Sequence, residues 1–396
     1  MLLNPHLAAT APPPISEAVG WARGVSAERL INVSQAAPAV PPPDELRQEV
    51  ARIVIEDPAA HLYGADLGLP ALRDAVAERW TADYGGPVAP DEVAITSGAN
   101  QGFATAIATL AAPGDEVILP VPWYFNHEMW LRQQGIRPVP LPVGDGMVPT
   151  SERAADLITP RTRAIALVTP NNPTGAEYPP EGIAAFFELC RDHGLALILD
   201  ETYRDFHARP GAPHDLFTRD WRGTLIDLYS FSKAYRLTGH RVGAMICEAP
   251  RLAEAEKVID CVTICPNGIG QRAALWGLRN LREWVAGERE EILGRRAAIR
   301  AAFRDLPGWH PVSEGAYFAW VEHPWNGPSD AVAKALAQDH GILALPGTMF
   351  APERDPAAAR ALRVAFANLD RDGIARLAER LRAASSGPLA GMALRQ

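Results

Sequence analysis

LYSFSKAYRLTGHRVG, residues 228–243, contains Lys233, one of only three lysines in a 396-residue chain that carries 38 lysines and arginines together. The other two, Lys257 in EAEKVID and Lys334 in AVAKALA, fall in the patterns of solvated amphipathic helices. A guanidinium keeps its proton to a pH above about 12, so arginine offers no free amine. A lysine offers one once burial or a cationic neighbour lowers its pKa, and it then forms Schiff bases with carbonyl compounds. Lys233 is either a lysine kept for that chemistry or an ordinary exposed lysine after a strand. Its companions decide.

Outward from this stretch, short apolar runs alternate with helical patterns. EVAIT (92–96), EVILP (116–120), AIALVTP (164–170), LALILD (195–200), TLIDLYSFS (224–232) and VGAMICE (242–248) read as strands. Between them, SGANQGFATAIATLA (97–111), NHEMWLRQQG (126–135) and PPEGIAAFFELCRDHG (179–194) read as helices, the last two closed by Gly135 and Gly194. Strands apolar on both faces are covered by helices on both sides, which predicts an α/β fold with a largely parallel sheet over residues 46–285. Past ILGRRAAIRAAFRDL the texture changes. AYFAWVE (316–322) and LRVAFA (362–367) are strands set between helices, which predicts a smaller α+β domain over residues 286–396. Residues 1–45, with proline clusters at 12–14 and 41–43, read as an extended arm that completes the smaller domain and leads into a helix near Asp44–Glu56.

The net charge of −9, with no basic run, argues against a nucleic-acid partner. No window of about 18 apolar residues predicts a membrane span, and the N-terminus lacks the basic and apolar regions of a signal peptide. Cys190, Cys247, Cys261 and Cys265 form no CxxC pair and read as reduced, mostly buried thiols of a cytoplasmic protein. A metal site at Cys261 and Cys265 lacks a companion ligand pair, so no metal is expected. GIGQRA (268–273), with Glu288 about 20 residues on, fits a loose dinucleotide pattern. It comes late in the chain and runs into QRAALWGLRNL, so it reads as the start of a helix instead.

Three segments accompany Lys233. LILDETY places Asp200 at the end of an apolar strand, as a helix N-cap or as a ligand carboxylate at the carboxyl edge of the sheet. TPNNPTG (169–175) follows another strand and is a simple Asn-Pro turn or part of a site. TSGAN (96–100) is a strand, a glycine turn and a helix start, whose free N–H groups suit a phosphate or merely await a cap. In this order, together with SFSKAYRLTGHRVG, they make a specific signature. The chain resembles the fold-type-I, pyridoxal-phosphate-dependent aminotransferases of class I/II, the aspartate aminotransferase family, from HLYGADLGLPALRDAVA (61–77) to LRVAFANLD (362–370). The resemblance implies a large domain with a mostly parallel seven-stranded sheet and a smaller α+β domain.

It also implies roles. Lys233 corresponds to the lysine that holds pyridoxal 5'-phosphate (PLP) as a Schiff base. Asp200 corresponds to the carboxylate that keeps the pyridine nitrogen protonated, and Asn172 and Tyr203 to groups that hydrogen-bond the ring's 3-oxygen. Tyr124 corresponds to the aromatic residue stacked on the ring, with Trp123 as the adjacent alternative. The N–H groups of Ala99 and Asn100, with Ser230, Ser232 and Arg241, are implied as the phosphate site. Tyr63 is implied to reach the phosphate of a neighbouring subunit, hence a homodimer with shared active sites. Arg363 is implied to clamp the substrate α-carboxylate, with an arginine on an edge strand as the plain alternative. The INVSQAAP loop (31–38) is implied to touch the same carboxylate, but Ala36 or Ala37 stands where the family has glycine.

The implied reaction is ping-pong transamination between an α-amino acid and a 2-oxo acid, with the Lys233 amine as general base at Cα. A β-lyase (C–S lyase) or a decarboxylase on the same fold is the alternative, told apart by its products. Arg272 is the one candidate for binding a second substrate carboxylate. Trp21, Met349 and Phe350 are expected to line the pocket and to favour a neutral, apolar or aromatic side chain.

Overall fold

A computed structural model describes residues 1–38 and 40–395 of the chain. A seven-stranded sheet runs in the order Val93–Thr96, Gly243–Ile246, Leu225–Ser230, Ala196–Asp200, Thr162–Val168, Glu116–Val121, Arg137–Pro142. Gly243–Ile246 is antiparallel to both of its neighbours; the other pairs are parallel. The mostly parallel α/β sheet is therefore present.

Side chains alternate across it with the period of a strand. Ile165, Leu167, Leu197 and Leu199 enter one core, while Ala164, Ala166, Ala196 and Ile198 enter the core on the opposite face. Both faces are covered, which is why these strands read as unbroken apolar runs. The helix Pro180–His193 begins with a proline in its first turn and ends at Gly194 with φ +65. The helix at Asp44–Glu56 has the bounds read from the sequence.

A second, antiparallel sheet has the order Leu345–Pro346, Ala361–Val364, Phe318–Glu322, His310–Gly315. Arg363 pairs with Trp320 on one side and Leu345 on the other, so its strand is not an edge. The arm joins this part of the molecule: Ile31–Asn32 lies parallel to Ile342–Leu343. The position between residues 285 and 286, expected as a domain boundary, falls inside one 23-residue helix, Arg282–Arg304. Val285 packs in the core of the large sheet, and Ile299 and Phe303 pack in that of the small one. The amphipathic pattern never breaks there, so the chain crosses from one core to the other without a linker.

The thiols depart from expectation. Cys190 and Cys247 are buried, but Cys261 is exposed and Cys265 half-buried, because both sit where the helix Ala249–Thr263 ends at the surface. GIGQRA opens the helix Gly268–Asn280, with the Asn267 side chain accepting from the Gly270 N–H at 2.6 Å. Among the described residues no group of His, Cys, Asp and Glu could hold a metal ion, and no helix is long and apolar enough to cross a membrane.

Candidate active site

The parallel strands end on one edge of the sheet at Val121, Val168, Asp200 and Ser230, the edge where open α/β sheets place their ligands. A cavity of about 560 Å³ lies there, between that edge and the small sheet. It gathers Ala36, Ala99, Asn100, Tyr124, Asn172, Asp200, Tyr203, Ser230, Ser232, Lys233, Arg241 and Arg363.

Lys233 sits on a single helical turn, Phe231–Ala234, whose first N–H groups are capped by Ser230: its Oγ accepts from the Ser232 N–H at 3.3 Å. The ammonium donates to the carbonyl of Ala36. Burial first, then the Arg241 and Arg363 guanidiniums, lower its pKa from 10.5 to about 8, against a smaller opposing effect of Asp200. An amine so placed keeps a reactive neutral fraction near physiological pH.

Asp200 is buried at the end of its strand. One carboxylate oxygen accepts from the Thr202 N–H at 3.0 Å, and the other lies 3.4 Å from His127 Nε2. Asp200 thus caps no regular helix. His127 was not singled out from the sequence. It stacks on Phe103 at 3.8 Å between ring centroids and meets Tyr124 edge-on at 5.0 Å. Tyr124 and His127 are three residues apart at a helix start, so they share a face, and that spacing was the available signal. Of the two adjacent aromatics, Tyr124 borders the cavity, while Trp123 is buried in the core beneath the sheet. The Tyr124 hydroxyl accepts from Asn126 Nδ2 at 2.9 Å and lies 3.4 Å from Asn100 Oδ1. Burial raises the pKa of Tyr203 well above the usual phenol value, so it stays a proton donor.

A cationic corner is built around the start of the helix Ala99–Ala108. The N–H groups of Ala99 and Asn100 precede the first possible intrahelical acceptor and are free to bind an anion. Gly98, at φ +83, makes room for the guanidinium: a Cβ there would lie 2.3 Å from Arg241 Nη2. Arg241 donates to Ser232 Oγ at 3.3 Å and to the Thr238 carbonyl at 3.0 Å, and among the described residues no carboxylate pairs with it.

Arg363 is buried between the rings of Phe350 and Phe318, 4.8 and 5.1 Å from their centroids. Nη1 donates to Asn172 Oδ1 at 2.8 Å, and Nη2 to the Ser34 carbonyl. Burial lowers its pKa to about 10, which leaves it cationic at neutral pH. In NNPTG the two asparagines divide the work. Asn171 holds the loop, accepting from the Thr174 N–H and hydroxyl at 3.1 and 2.8 Å, while Asn172 faces Arg363. Gly175, at φ +75, lets the loop touch the small sheet, since a Cβ there would lie 2.3 Å from the Gly315 nitrogen. The loop bearing Ala36 is fastened by Asn368, whose Oδ1 accepts from the Ala37 N–H at 3.2 Å and whose Nδ2 donates to the Gln35 carbonyl.

Four expected residues lie elsewhere. Phe350 is fully buried against Phe125 and Trp320, Trp21 packs on the core of the small sheet, and Met349 packs beside it. Ile15 and Phe125 line the cavity in their place. Arg272 donates to Asp57 at 2.5 Å, away from the cavity. Tyr63 is 81% exposed and takes no part in the pocket of its own chain.

The arrangement asks for a ligand with an anionic group, a carbonyl for a nucleophilic amine and a basic nitrogen for a buried carboxylate. Pyridoxal phosphate has all three, and the residues present fit it. The fold that delivers them defines a fold-type-I PLP enzyme. The family model of aminotransferase class I and II matches residues 28–381. An aromatic aminotransferase of Arabidopsis thaliana is 30% identical over 318 residues, 77% of this chain and 78% of the relative. An arginine–pyruvate transaminase of Pseudomonas aeruginosa is 33% identical over 304 residues, 74% of this chain and 76% of its own. The solved aspartate aminotransferase of Thermus thermophilus matches with a TM-score of 0.87 at 26% identity, covering 97% of this chain and 99% of that one. The chain belongs to the class I and II aminotransferases. It is a PLP-dependent enzyme that transfers an amino group between an amino acid and a 2-oxo acid.

Proposed function

We propose that Lys233 is the base of this transamination and that Asp200, Arg241 and Arg363 divide the binding of cofactor and substrate among them. The observation that carries this reading is a single buried amine, its pKa lowered to about 8, set among one carboxylate and two guanidiniums. Pyridoxal phosphate, when bound, supplies a protonated ring that accepts the electrons of the substrate's Cα–H bond. Asp200 holds the proton on the ring nitrogen. Asn172 and Tyr203 would donate to the ring oxygen, and Tyr124 would pack against the ring. Ala99, Asn100, Ser230, Ser232 and Arg241 hold the phosphate, Arg241 as a fixed cation.

Arg363 takes the α-carboxylate of the substrate in a bidentate contact. The surrounding aromatic rings keep water away and strengthen that pairing. The Ala36 carbonyl, already in contact with the Lys233 ammonium, orients the amine toward Cα. Lys233 would take up the Cα proton and hold it for return.

The pKa of Lys233 gives a test. The rate at which cofactor-free protein captures PLP, followed by absorbance, is expected to rise with pH through about 8 and to level off above it, because only the neutral amine attacks. A profile flat across that window would remove Lys233 as the capturing amine.

We further propose a homodimer of cytoplasmic protein, in which residues 1–45 and 286–396 form the small domain against 46–285. The support for a dimer is an exposed apolar patch of Leu62, Tyr63, Val262 and Ile264, from 40 to 81% exposed. The Gly64 N–H donates to Cys265 Sγ at 3.3 Å, which ties the two loops bearing the patch together. The exposed free thiol of Cys261 suits a reducing compartment. Mixing inactive Lys233→Ala subunits with Tyr63→Ala subunits tests the sharing of sites. If Tyr63 serves the neighbouring subunit, each hybrid dimer contains one unaltered site, and activity rises above the sum of the two parents. Activity no greater than that sum would place Tyr63 outside the neighbour's site.

A further inference from the structure

The turn that carries Asp200 and Tyr203 sends its side chains to two sides. Asp200 and Tyr203 line the cavity, while Glu201 and Arg204 meet Trp80 and Tyr84 in the core on the other face of the sheet from Phe103 and His127. Glu201 is fully buried and Arg204 is 8% exposed. The backbone between them is tight. The Arg204 N–H donates to the Glu201 carbonyl at 2.9 Å, the Phe206 N–H to the Tyr203 carbonyl at 3.0 Å, and the Thr202 N–H to Asp200 at 3.0 Å. A shift of Glu201 or Arg204 is therefore passed on to Asp200 and Tyr203.

The last turn of the helix Pro70–Tyr84 holds this pair of ions. Trp80, Asp83 and Tyr84 follow at three- and four-residue spacing and share one face. The Tyr84 hydroxyl donates to the Glu201 carboxylate, and His214 Nε2 lies 3.5 Å from the same oxygen. Arg204 Nη2 donates to Asp83 at 2.5 Å, and its guanidinium lies over the rings of Trp80 and Tyr84, 4.3 and 4.7 Å from their centroids. Trp80 is fixed in turn, its indole N–H donating at 2.6 Å to Asp227, which sits on the strand that leads to Lys233. Burying a carboxylate and a guanidinium costs more than filling the same space with apolar side chains, so stability alone does not account for them.

We propose that the end of the helix Pro70–Tyr84 positions two of the cofactor's ligands: Trp80, Asp83 and Tyr84 set Asp200 and Tyr203 against the ring, acting through Glu201 and Arg204. The proposal rests on the reading of Asp200 and Tyr203 above and adds what holds them in place. None of these five residues lines the cavity, so they are positioning residues.

Two variants test it. Tyr84→Phe removes one hydroxyl and leaves the ring under Arg204. Arg204→Met puts a flexible apolar chain on the two rings, and Asp83 keeps Arg79 as a partner at 2.6 Å. The dissociation constant for PLP is read from an absorbance titration. At saturating PLP, the visible circular dichroism per bound cofactor reports the orientation of the ring, and kcat reports the chemistry. Tyr84→Phe is expected to weaken PLP binding and to lower kcat by about tenfold, the size of effect seen when a partner behind a ligand residue is lost. Arg204→Met is expected to lower both by about a hundredfold, as a small misplacement of a reacting group does. The dichroic band is expected to shrink in both. Arg204→Lys, which keeps a cation beside Asp83, is expected to fall between Arg204→Met and the unaltered enzyme.

If both variants, saturated with PLP, keep the dichroic band and kcat of the unaltered enzyme, this layer serves the fold alone and the proposal is overturned. Should Arg204→Met not fold, Tyr84→Phe decides by itself. Asp200→Asn, measured alongside, tests the reading beneath: a variant with unchanged band and kcat there removes Asp200 as a cofactor ligand, whatever Tyr84→Phe does.

Discussion

Lys233→Ala is expected to lose turnover by about 10⁴-fold or more, because it removes both the amine that captures the cofactor and the base at Cα. Lys233→Arg is the sharper variant. It keeps a long cationic side chain in the same place but offers no free amine at any accessible pH, so it is expected to be as inactive as alanine. Both variants are expected to bind PLP without covalent attachment, since Arg241, the serines and the helix start are untouched. Mass spectrometry after borohydride reduction checks this: the unaltered protein gains the mass of the reduced cofactor and the variants do not. Measurable activity in Lys233→Arg would overturn the assignment, since no other lysine is near the cavity: among the described residues the pocket contains Lys233 alone of the three.

Asp200→Asn is expected to lower kcat by roughly 10²–10³-fold, the size of effect seen when a fixed charge is withdrawn from a developing one. The fold should tolerate the change, because an asparagine carbonyl accepts the Thr202 N–H as the carboxylate does at 3.0 Å. A second readout separates chemistry from structure. The Asp200 charge raises the pKa of Lys233, while burial, Arg241 and Arg363 lower it. Removing that charge lets the amine lose its proton more easily, so the pH profile for capture of PLP is expected to move below about 8 in the variant. Slower turnover together with an acid-shifted capture profile identifies an electrostatic role. Turnover close to that of the unaltered enzyme would remove Asp200 from the chemistry.

The groups on which these two predictions rest were legible for a physical reason. Asp200 ends a buried strand and Lys233 and Asn172 lie within four residues of the end of one, and parallel strands deliver their carboxyl ends to one edge. A motif that ends an apolar run therefore announces its own position. Arg241 was legible because it lies within the lysine motif, eight residues on, and Arg363 because it sits in an apolar strand where a charge has little other reason to be.

His127, Ile15, Phe125 and Asn126 were not legible. His127 reads as one more polar residue on a helix until the packing sets it 3.4 Å from Asp200, 73 residues away in sequence. Ile15 lies in the arm and reaches the cavity because its helix, Pro14–Trp21, packs with Ala18 in one apolar cluster with Leu343 and Leu345. Phe350 shows the converse. It was expected to line the cavity, yet its carbonyl accepts the Trp123 N–H at 2.8 Å and its ring packs on Trp320 and the Arg363 guanidinium instead.

The sequence by itself determined the sheet, the order of its strands along the chain, and which lysine, carboxylate and guanidiniums the fold then gathers in one cavity. These are local properties: a period of two in apolar residues, a turn after a strand, a lysine where arginine is the habit of the chain. Tertiary structure alone decided which aromatic of the Trp123–Tyr124 pair faces the ligand, how far the lysine's pKa falls, and that His127 stands behind Asp200. Those depend on burial, on side-chain direction and on charges brought together from distant parts of the chain, and each is a sum over neighbours that no short stretch of sequence contains.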